Sequence, residues 1–217
     1  MTDYAARRTM MVDTQVRPSD VTKFPIIDAM LSVPRESFVP GALREAAYIG
    51  ENLDLGDGRT LLDPRTFAKM LEALDIQPGH VALDLGCGLG YSTAVLARLC
   101  AFVVGVEDDA TRADEAQSLL SELGIDNAAV IAGTLNEGSA KSGPYDIILI
   151  NGAVEDVPQG LLDQLRDGGR IACIFAEGTL GVVRVGHKID DMVNWRYAFN
   201  ASAPMLQEFA KKPVFTL

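Results

Sequence analysis

The sequence contains little cysteine, little histidine and no long apolar run. Its 217 residues include two histidines and three cysteines, Cys87, Cys100 and Cys173, with no C-x-x-C pair. An odd number of widely spaced cysteines argues against a disulfide framework or a metal centre and favours buried, reduced thiols. No apolar run reaches the roughly 18 residues that a membrane-spanning helix requires, and the N-terminus has no signal-peptide pattern. We therefore expect a cytoplasmic protein with no metal and no membrane contact.

Positive charge is also scarce. The chain has 19 Lys and Arg residues against 30 Asp and Glu residues, a net charge of −11, and its basic residues are scattered. Proteins that bind nucleic acid usually present a basic face, because neutralising phosphates supplies much of their affinity. We therefore expect no nucleic-acid partner. The length and the 48% hydrophobic content fit one globular domain with a large core.

The chain does contain a glycine loop between a predicted strand and a predicted helix. An apolar run at 81–85 carries Asp84, helical periodicity follows at 92–99, and three glycines stand between them at alternate positions, Gly86, Gly88 and Gly90. Strand, loop and helix in this order open an α/β nucleotide-binding fold. Glycine lets such a loop turn sharply and approach a ligand closely.

The glycine spacing indicates the ligand. A dinucleotide fingerprint requires Gly-x-Gly-x-x-Gly, whereas here Gly90 comes one residue early and Tyr91 stands at the dinucleotide position. The Gly-x-Gly-x-Gly loop resembles the first motif of class I S-adenosylmethionine-dependent methyltransferases. That resemblance implies that an acid ending the next strand holds the ribose hydroxyls of the cofactor. Glu107, at the end of the apolar run 102–107, is this acid.

The rest of the chain alternates apolar runs with helical patterns. Further strands are predicted at 128–132, 145–150 and 170–175, with helices at 111–123 and 161–165, and the runs 182–189 and 193–199 predict an antiparallel pair. We predict an α/β, Rossmann-like class I methyltransferase fold. Its doubly wound, mostly parallel seven-stranded sheet would carry an antiparallel C-terminal strand and N-terminal helices.

We divide the chain near residue 78. Residues 1–78 are predicted to form a helical and hairpin extension on the substrate side, packed on the same domain, and residues 79–217 the S-adenosylmethionine-binding α/β core. In the extension, apolar spacing predicts helices at 3–16, 21–31 and 43–47 and a turn at 53–59. Asp63-Pro64 predicts the start of a further helix, with Asp63 as its cap.

Ligands of such sheets bind beyond the carboxyl ends of the strands. We therefore expect the cofactor to be held by the loop and by residues that end the neighbouring strands: Asp84, Gly86, Cys87, Gly88, Gly90, Tyr91, Glu107, Asp108, Gly133, Thr134 and Asn151. For Tyr91, covering the cofactor and packing against the sheet are equally open.

Roughly residues 10–185 resemble the protein-L-isoaspartate O-methyltransferases. The matching stretches include Met11-Val12-Asp13-x-Gln15, Val33-Pro34-Arg35-x-x-Phe38-Val39-Pro40, the glycine loop and Pro144-Tyr145-Asp146. The resemblance implies methyl transfer from S-adenosyl-L-methionine to the free carboxylate of an isoaspartyl residue in damaged protein, which leaves S-adenosyl-L-homocysteine. The ester then collapses to a succinimide and reopens partly as normal aspartate.

The sequence departs from this family in four places, one of which is the usual Val-Gly-Ala-Ala after the fourth strand, here Asn151-Gly152-Ala153-Val154. The usual Gly-x-Thr-Ile-Ser-x-Pro reads Gly58-Arg59-Thr60-Leu61-Leu62-Asp63-Pro64, with Leu62 where the family serine contacts the reacting carboxylate. Thr60 and Leu62 are therefore the substrate-side candidates. Gly133-Thr134 lacks the family's acid near the adenine. Residues 203–217 differ from the C-terminal sequence that is usual in the family. We predict a short helix and a strand in this segment, which either closes over the site or binds a partner.

Three functions follow from these patterns. The first is an isoaspartyl O-methyltransferase, or one with another carboxylate acceptor. The second is a cofactor-binding protein without transfer activity. The third is an NAD-dependent oxidoreductase, against which the early third glycine and the absence of a Tyr-x-x-x-Lys pair both count. The oligomeric state is open.

Overall fold

The computed structural model describes residues 3–178 and 180–211 of the chain. Within these residues the first two strands form a separate hairpin, β1 (Leu53–Gly56) and β2 (Arg59–Leu61). The other strands form one seven-stranded sheet: β3 (Val81–Leu85), β4 (Phe102–Glu107), β5 (Ala128–Ala132), β6 (Tyr145–Val154), β7 (Leu165–Glu177), β8 (Leu180–Ile189) and β9 (Met192–Asn200).

The strand order in the sheet is β5-β4-β3-β6-β7-β8-β9. The strands from β5 to β7 pair in parallel, and β8 runs antiparallel to both of its neighbours. The predicted mostly parallel sheet with an antiparallel C-terminal pair is confirmed. The chain moves outward from β3 through β4 to β5 and then returns to β6 on the other side of β3. A crevice therefore opens between β3 and β6 at their carboxyl ends, where such sheets bind ligands.

Six α-helices lie in the described part of the chain: α1 (Tyr4–Met11), α2 (Phe24–Ser32), α3 (Pro64–Leu74), α4 (Tyr91–Ala97), α5 (Ala110–Glu122) and α6 (Gln159–Leu162). Three of them begin after an aspartate, Asp3, Asp63 or Asp109, whose carboxylate accepts a hydrogen bond from a backbone N–H three residues later. This capping satisfies an amide that has no partner inside the helix. The predicted start of α3 at Asp63-Pro64 is confirmed.

The N-terminal helices are shorter than predicted. Instead of one helix over 3–16, α1 ends at Met11 and is followed by a π-helical turn over Val12–Val16 and a 3₁₀ turn over Arg17–Ser19. Pro18 has no N–H to continue the helical hydrogen bonds, and Asp20 takes a left-handed conformation with φ of 62°. The segment predicted as a helix at 43–47 is a 3₁₀ helix over Gly41–Ala46.

Other boundaries also differ from the predictions. β7 starts at Leu165 rather than at 170, because Leu165 already pairs with Tyr145 of β6, and a register shift takes up the segment from Asp167 to Gly169. In the C-terminal segment predicted as a helix and a strand, the structure shows a bridge from Met205 to Ala153 and a 3₁₀ turn over Gln207–Phe209. The rest of that prediction, residues 212–217, lies outside the described residues.

Apolar side chains pack on both faces of the sheet. One cluster joins the N-terminal segments to α3, α4 and α5, through residues that include Met11, Met30, Phe67, Leu96 and Leu120. The other includes Leu83, Tyr145, Ile148, Leu161 and Leu206. Residues 3–78 thus pack on the core, while the division near residue 78 stays a prediction. The three cysteines are buried and free, as predicted. None of the described helices is long and apolar enough to cross a membrane.

Candidate functional site

The glycine loop leaves β3 at the carboxyl edge of the sheet and ends where α4 begins. Gly86, Gly88 and Gly90 have φ angles of 68°, 57° and 95°, a region that other residues rarely adopt. The Gly86 amide donates to the carbonyl of Val106 at 3.0 Å, and the Gly90 amide to the carbonyl of Cys87 at 2.9 Å. The loop is therefore fixed to the end of β4 and turns directly into the helix.

Asp84 is fully buried beneath this loop. Its Oδ2 accepts hydrogen bonds from Ser92 Oγ at 2.7 Å and Thr93 Oγ1 at 2.6 Å, and its Oδ1 accepts one from Asn151 Nδ2 at 2.6 Å. Burial raises the pKa of Asp84, and the three hydrogen bonds oppose that shift. The carboxylate ties β3 to α4 and β6, so its role in the described structure is to hold the loop in place.

Glu107 is also fully buried, and two arginines pair with it. Its Oε1 lies 2.8 Å from Arg59 Nε and 3.2 Å from Arg112 Nη1, and its Oε2 accepts a hydrogen bond from the Gly88 amide at 2.9 Å. Burial raises the pKa of Glu107, as does its hydrogen bond with Asp108, while the charge of Arg59 lowers it. The residue predicted to hold the ribose hydroxyls is thus bound to the β1–β2 hairpin.

Arg59 gathers two further carboxylates around this pair. Its Nη2 lies 2.6 Å from Asp108 Oδ1 and 3.4 Å from Glu208 Oε1. Partial burial acts to raise the pKa of Asp108, but hydrogen bonds with Glu107 and Glu208 and the charge of Arg59 outweigh it and lower this pKa to about 2. Side chains from the hairpin, from β4 and from the C-terminal turn therefore meet in one ionic cluster.

A small enclosed cavity lies next to the glycine loop. Its volume is about 10 Å³, which is close to the space for one water molecule. It is lined by six of the residues predicted from the sequence, Thr60, Leu62, Gly86, Cys87, Tyr91 and Asn151, and by apolar neighbours that include Leu55 and Phe67. The structure thus brings the substrate-side candidates and the loop candidates to one place. Burial raises the pKa of the Cys87 thiol, so this side chain is neutral there.

Other predicted residues lie outside this cavity. Thr134 is exposed, and Gly133 lies beside Glu107, with its amide 2.9 Å from the Glu107 carbonyl. Tyr91 packs as well as lining the cavity: its ring centroid lies 5.9 Å from that of Phe38 and 5.6 Å from that of Phe67. Its ring thus packs against the N-terminal segments and α3 rather than against the sheet, and a role in covering the cofactor stays a prediction.

Sequence reasoning missed three residues of this region. Arg35 is fully buried, donates to the carbonyls of Ala47 at 2.6 Å and Leu62 at 2.7 Å, and lies 4.8 Å from the centre of the Tyr91 ring. Burial lowers the pKa of Arg35. Arg35 interrupts an apolar stretch, a signal that could have indicated a buried cation, whereas Arg59 stands beside a turn as an exposed arginine would. Leu206, which packs over the loop, carries no such signal.

Comparisons with known proteins address the family of this chain rather than its individual site residues. The family model for protein-L-isoaspartate (D-aspartate) O-methyltransferase matches residues 7–198. The protein-L-isoaspartate O-methyltransferase of Koribacter versatilis is 39% identical over 171 residues, which cover 79% of this chain and 77% of that protein. That of Vibrio parahaemolyticus is 36% identical over 169 residues, which cover 78% of this chain and 81% of the relative.

Solved structures give the same fold. A structure of a protein-L-isoaspartate O-methyltransferase matches 96% of this chain and 67% of its own with a TM-score of 0.80 at 23% identity. A Plasmodium falciparum protein described under the same name, solved with S-adenosyl-L-homocysteine, matches 96% of this chain and all of its own at 0.79 and 20% identity. The chain belongs to the protein-L-isoaspartate (D-aspartate) O-methyltransferase family of S-adenosylmethionine-dependent enzymes.

Proposed function

We propose that this protein transfers a methyl group from S-adenosylmethionine to the free carboxylate of an isoaspartyl residue, with damaged protein as the acceptor and the cytoplasm as the compartment. The observation that supports the proposal is the shared cavity, which is lined both by the substrate-side candidates Thr60 and Leu62 and by two cofactor-side candidates, Gly86 and Asn151. Membership of the family sets aside the NAD-dependent oxidoreductase as an alternative.

The residues of the site fit the cofactor in chemistry. Three glycines with positive φ present a loop backbone without side chains, and Glu107 offers a buried carboxylate to the ribose hydroxyls. The space does not fit in the arrangement described, because leucine side chains fill it. A Cβ placed on Gly88 would lie 2.9 Å from Leu55 Cδ1, and one placed on Gly152 would lie 2.6 Å from Leu206 Cγ.

The reaction asks little of acid–base groups. When bound, the sulfonium cofactor supplies an electrophilic methyl group. An acceptor carboxylate with a pKa near ~4 is already ionised at neutral pH, so no general base is required. The protein contributes alignment and exclusion of water. Arg35 holds the carbonyl of Leu62, and the apolar side chains of Leu62 and Phe67 wall the cavity.

The direct test is methyl transfer from labelled S-adenosylmethionine to an isoaspartyl peptide and to its normal aspartyl twin. We expect base-labile label on the isoaspartyl peptide alone. Label on both peptides would contradict isoaspartyl specificity. No label on either, together with binding of S-adenosyl-L-homocysteine in calorimetry, would favour another carboxylate acceptor or a binding protein without transfer activity.

Leu62 gives a second test of the same assignment. Leu62→Ser places a hydroxyl donor where the family resemblance puts one, and we expect it to raise isoaspartyl methylation at least threefold. Leu62→Ala is the matched control, since it removes a similar volume from a nearly buried side chain but supplies no donor. Equal rates for the two variants would exclude a role for a hydroxyl at this position.

A further inference from the structure

Two separate segments of this chain occupy the space above the glycine loop. The first is the β1–β2 hairpin, which brings Leu55 against Gly88. The second is residues 203–209, which we call the C-terminal cover. Its Leu206 lies against both Gly86 and Gly152, and a Cβ on Gly86 would lie 3.7 Å from Leu206 Cδ1. Leu206 is only 1% exposed, so it fills the crevice at the carboxyl edge rather than resting on the surface.

The C-terminal cover is held by backbone hydrogen bonds along the end of β6. The Ala153 amide donates to the carbonyl of Pro204, and the Leu206 amide donates to the carbonyl of Ala153, both at 2.9 Å. Asn136 Nδ2 donates to the carbonyl of Glu208 at 2.6 Å. The cover therefore has a defined position across the carboxyl edge, where ligands of such sheets bind.

The hairpin and the cover also bind each other. Arg59 Nη2 lies 3.4 Å from Glu208 Oε1, and next to the two segments Asn52 Nδ2, on the residue before β1, donates to the carbonyl of Ser202, the residue before the cover, at 2.8 Å. Arg59 of the hairpin also pairs with Glu107, whose carboxylate the proposed function assigns to the ribose hydroxyls. Glu107 Oε1 already contacts Arg59 and Arg112, and Oε2 already accepts from the Gly88 amide, so bound Arg59 leaves the ribose hydroxyls few free acceptor positions on this carboxylate. The hairpin thus competes for the polar part of the site, while Leu206 competes for its volume.

Release of the hairpin would not leave a buried charge without a partner. Glu107 would keep Arg112 at 3.2 Å and the Gly88 amide at 2.9 Å. Arg59 would keep Glu208, which belongs to the cover, and Asp108, whose side chain is already 42% exposed, would be solvated by water. An uncompensated buried charge is the largest penalty that such a movement could carry, and this arrangement avoids it.

We propose that the β1–β2 hairpin and the C-terminal cover are an intramolecular occupant of the cofactor site, and that the cofactor binds only when Leu206 and Arg59 withdraw. The inference rests on the proposed function, since it concerns the same cofactor. Because only the open population binds, the apparent dissociation constant equals the intrinsic constant divided by the open fraction. Residues that stabilise the closed arrangement therefore weaken cofactor binding.

The test is calorimetric binding of S-adenosyl-L-homocysteine to the full chain and to two variants. Leu206→Ala removes the side chain that fills the crevice, and Arg59→Gln frees Glu107 while leaving its second arginine. We expect each variant to bind about tenfold more tightly or better, because each raises the open fraction. The matched controls are Leu180→Ala, an exposed leucine on β8, and Arg166→Gln, in an exposed ion pair with Asp146. Both controls should bind as the unmodified chain does.

The outcomes separate this proposal from the proposed function. Binding of equal strength by all proteins, or weaker binding by both site variants, would contradict the proposal that the hairpin and the cover occupy the cofactor site. Either result would leave the cofactor assignment unchanged. No binding by any folded protein would overturn both. Circular dichroism establishes folding, and Leu206→Val, a smaller truncation, replaces Leu206→Ala if that variant does not fold. A tighter Leu206→Val complex would support the proposal in the same way.

Discussion

The two edges of the same sheet differ in what fills them. At the amino edge, a cavity of about 330 Å³ opens between the start of α2, the end of α3 and the segment at 98–100. It is lined mainly by apolar side chains, including Ile26, Ile76 and Leu99. At the carboxyl edge, the cavity beside the glycine loop measures about 10 Å³. The larger space is therefore at the edge that carries none of the predicted site residues.

The charges show the opposite trend. Asp75, at the amino edge, is 46% exposed and pairs with Lys23 at 2.5 Å and Arg170 at 3.1 Å. At the carboxyl edge, Asp84 and Glu107 are fully buried. Buried charge is costly unless it is paired and hydrogen-bonded, and such groups concentrate at functional sites. In this protein the two fully buried carboxylates lie at the proposed cofactor edge, which free volume does not mark.

The contrast between the two edges is tested most strongly by a substitution at Asp84. We expect Asp84→Ala to lower the free energy of unfolding by about 3 kcal/mol, because buried donors on Ser92, Thr93 and Asn151 lose their acceptor. Urea denaturation followed by circular dichroism measures this change. A loss below about 1 kcal/mol would mean that these donors find other partners.

Truncation of an apolar side chain should have the next largest effect on the free energy of unfolding, and the loss should differ between the two edges. We expect Leu206→Ala to cost about 2 to 4 kcal/mol of unfolding free energy without ligand, because it leaves a cavity in a packed crevice. Ile76→Ala is the matched change beside the open cavity, where the side chain is only partly buried, and should cost about 1 kcal/mol. Equal losses in urea denaturation would show that the two edges are packed alike.

Removal of the charge on Asp75 should have a small effect. Its ion pairs with Lys23 and Arg170 are solvent-accessible, so we expect Asp75→Asn to cost less than about 1 kcal/mol at moderate salt. The thermal unfolding midpoint at low and high salt measures it. A loss as large as that of Asp84→Ala would refute the contrast between the edges.

The smallest effect concerns acid stability. The pKa of Asp108 is lowered from 3.8 to about 2 in the folded chain, so the folded state binds fewer protons there than the unfolded state. The resulting stabilisation is present above the unfolded pKa and is lost as the pH falls from about 4 to about 2. Since this carboxylate is partly exposed, we expect Asp108→Asn to cost at most about 1 kcal/mol at pH 7.

Urea titrations at several pH values check this prediction. The difference between Asp108→Asn and the unmodified chain should shrink towards pH 2 and should be smaller at pH 7 when Arg59 is replaced by Gln. A difference that stays constant between pH 7 and pH 2 would contradict the assigned ionic cause.

The sequence predicted those features that lie within one segment. The apolar run with Asp84 and the alternate glycines predicted β3 and its loop, because a strand and its turn are specified by neighbouring residues. The spacing to the next strand pointed to Glu107. It did not predict that β7 begins at Leu165, because the pairing of Leu165 with Tyr145 on β6 lies beyond a turn-like segment that has no partner on β6. Tertiary pairing overrode local preference there.

Partners from distant segments could not be predicted. Two such contacts are those of Arg59 with Glu107 and of Leu206 with Gly152. Each joins parts of the chain whose local sequence patterns do not indicate that they meet. Arg59 stands beside a turn and resembles an exposed arginine, and Leu206 resembles any isolated apolar residue. The predicted cofactor edge was found from the strands, whereas the residues that fill it depend on the finished fold.

The contacts between the hairpin and the C-terminal cover have a consequence for the order of folding. Asn52 and Ser202 are separated by 150 residues, and Arg59 and Glu208 by 149. Bringing such ends together costs more chain entropy than closing the short loops inside the sheet. We therefore expect these contacts to form after the folding transition state, so that Leu206→Ala accelerates unfolding and leaves the refolding rate nearly unchanged.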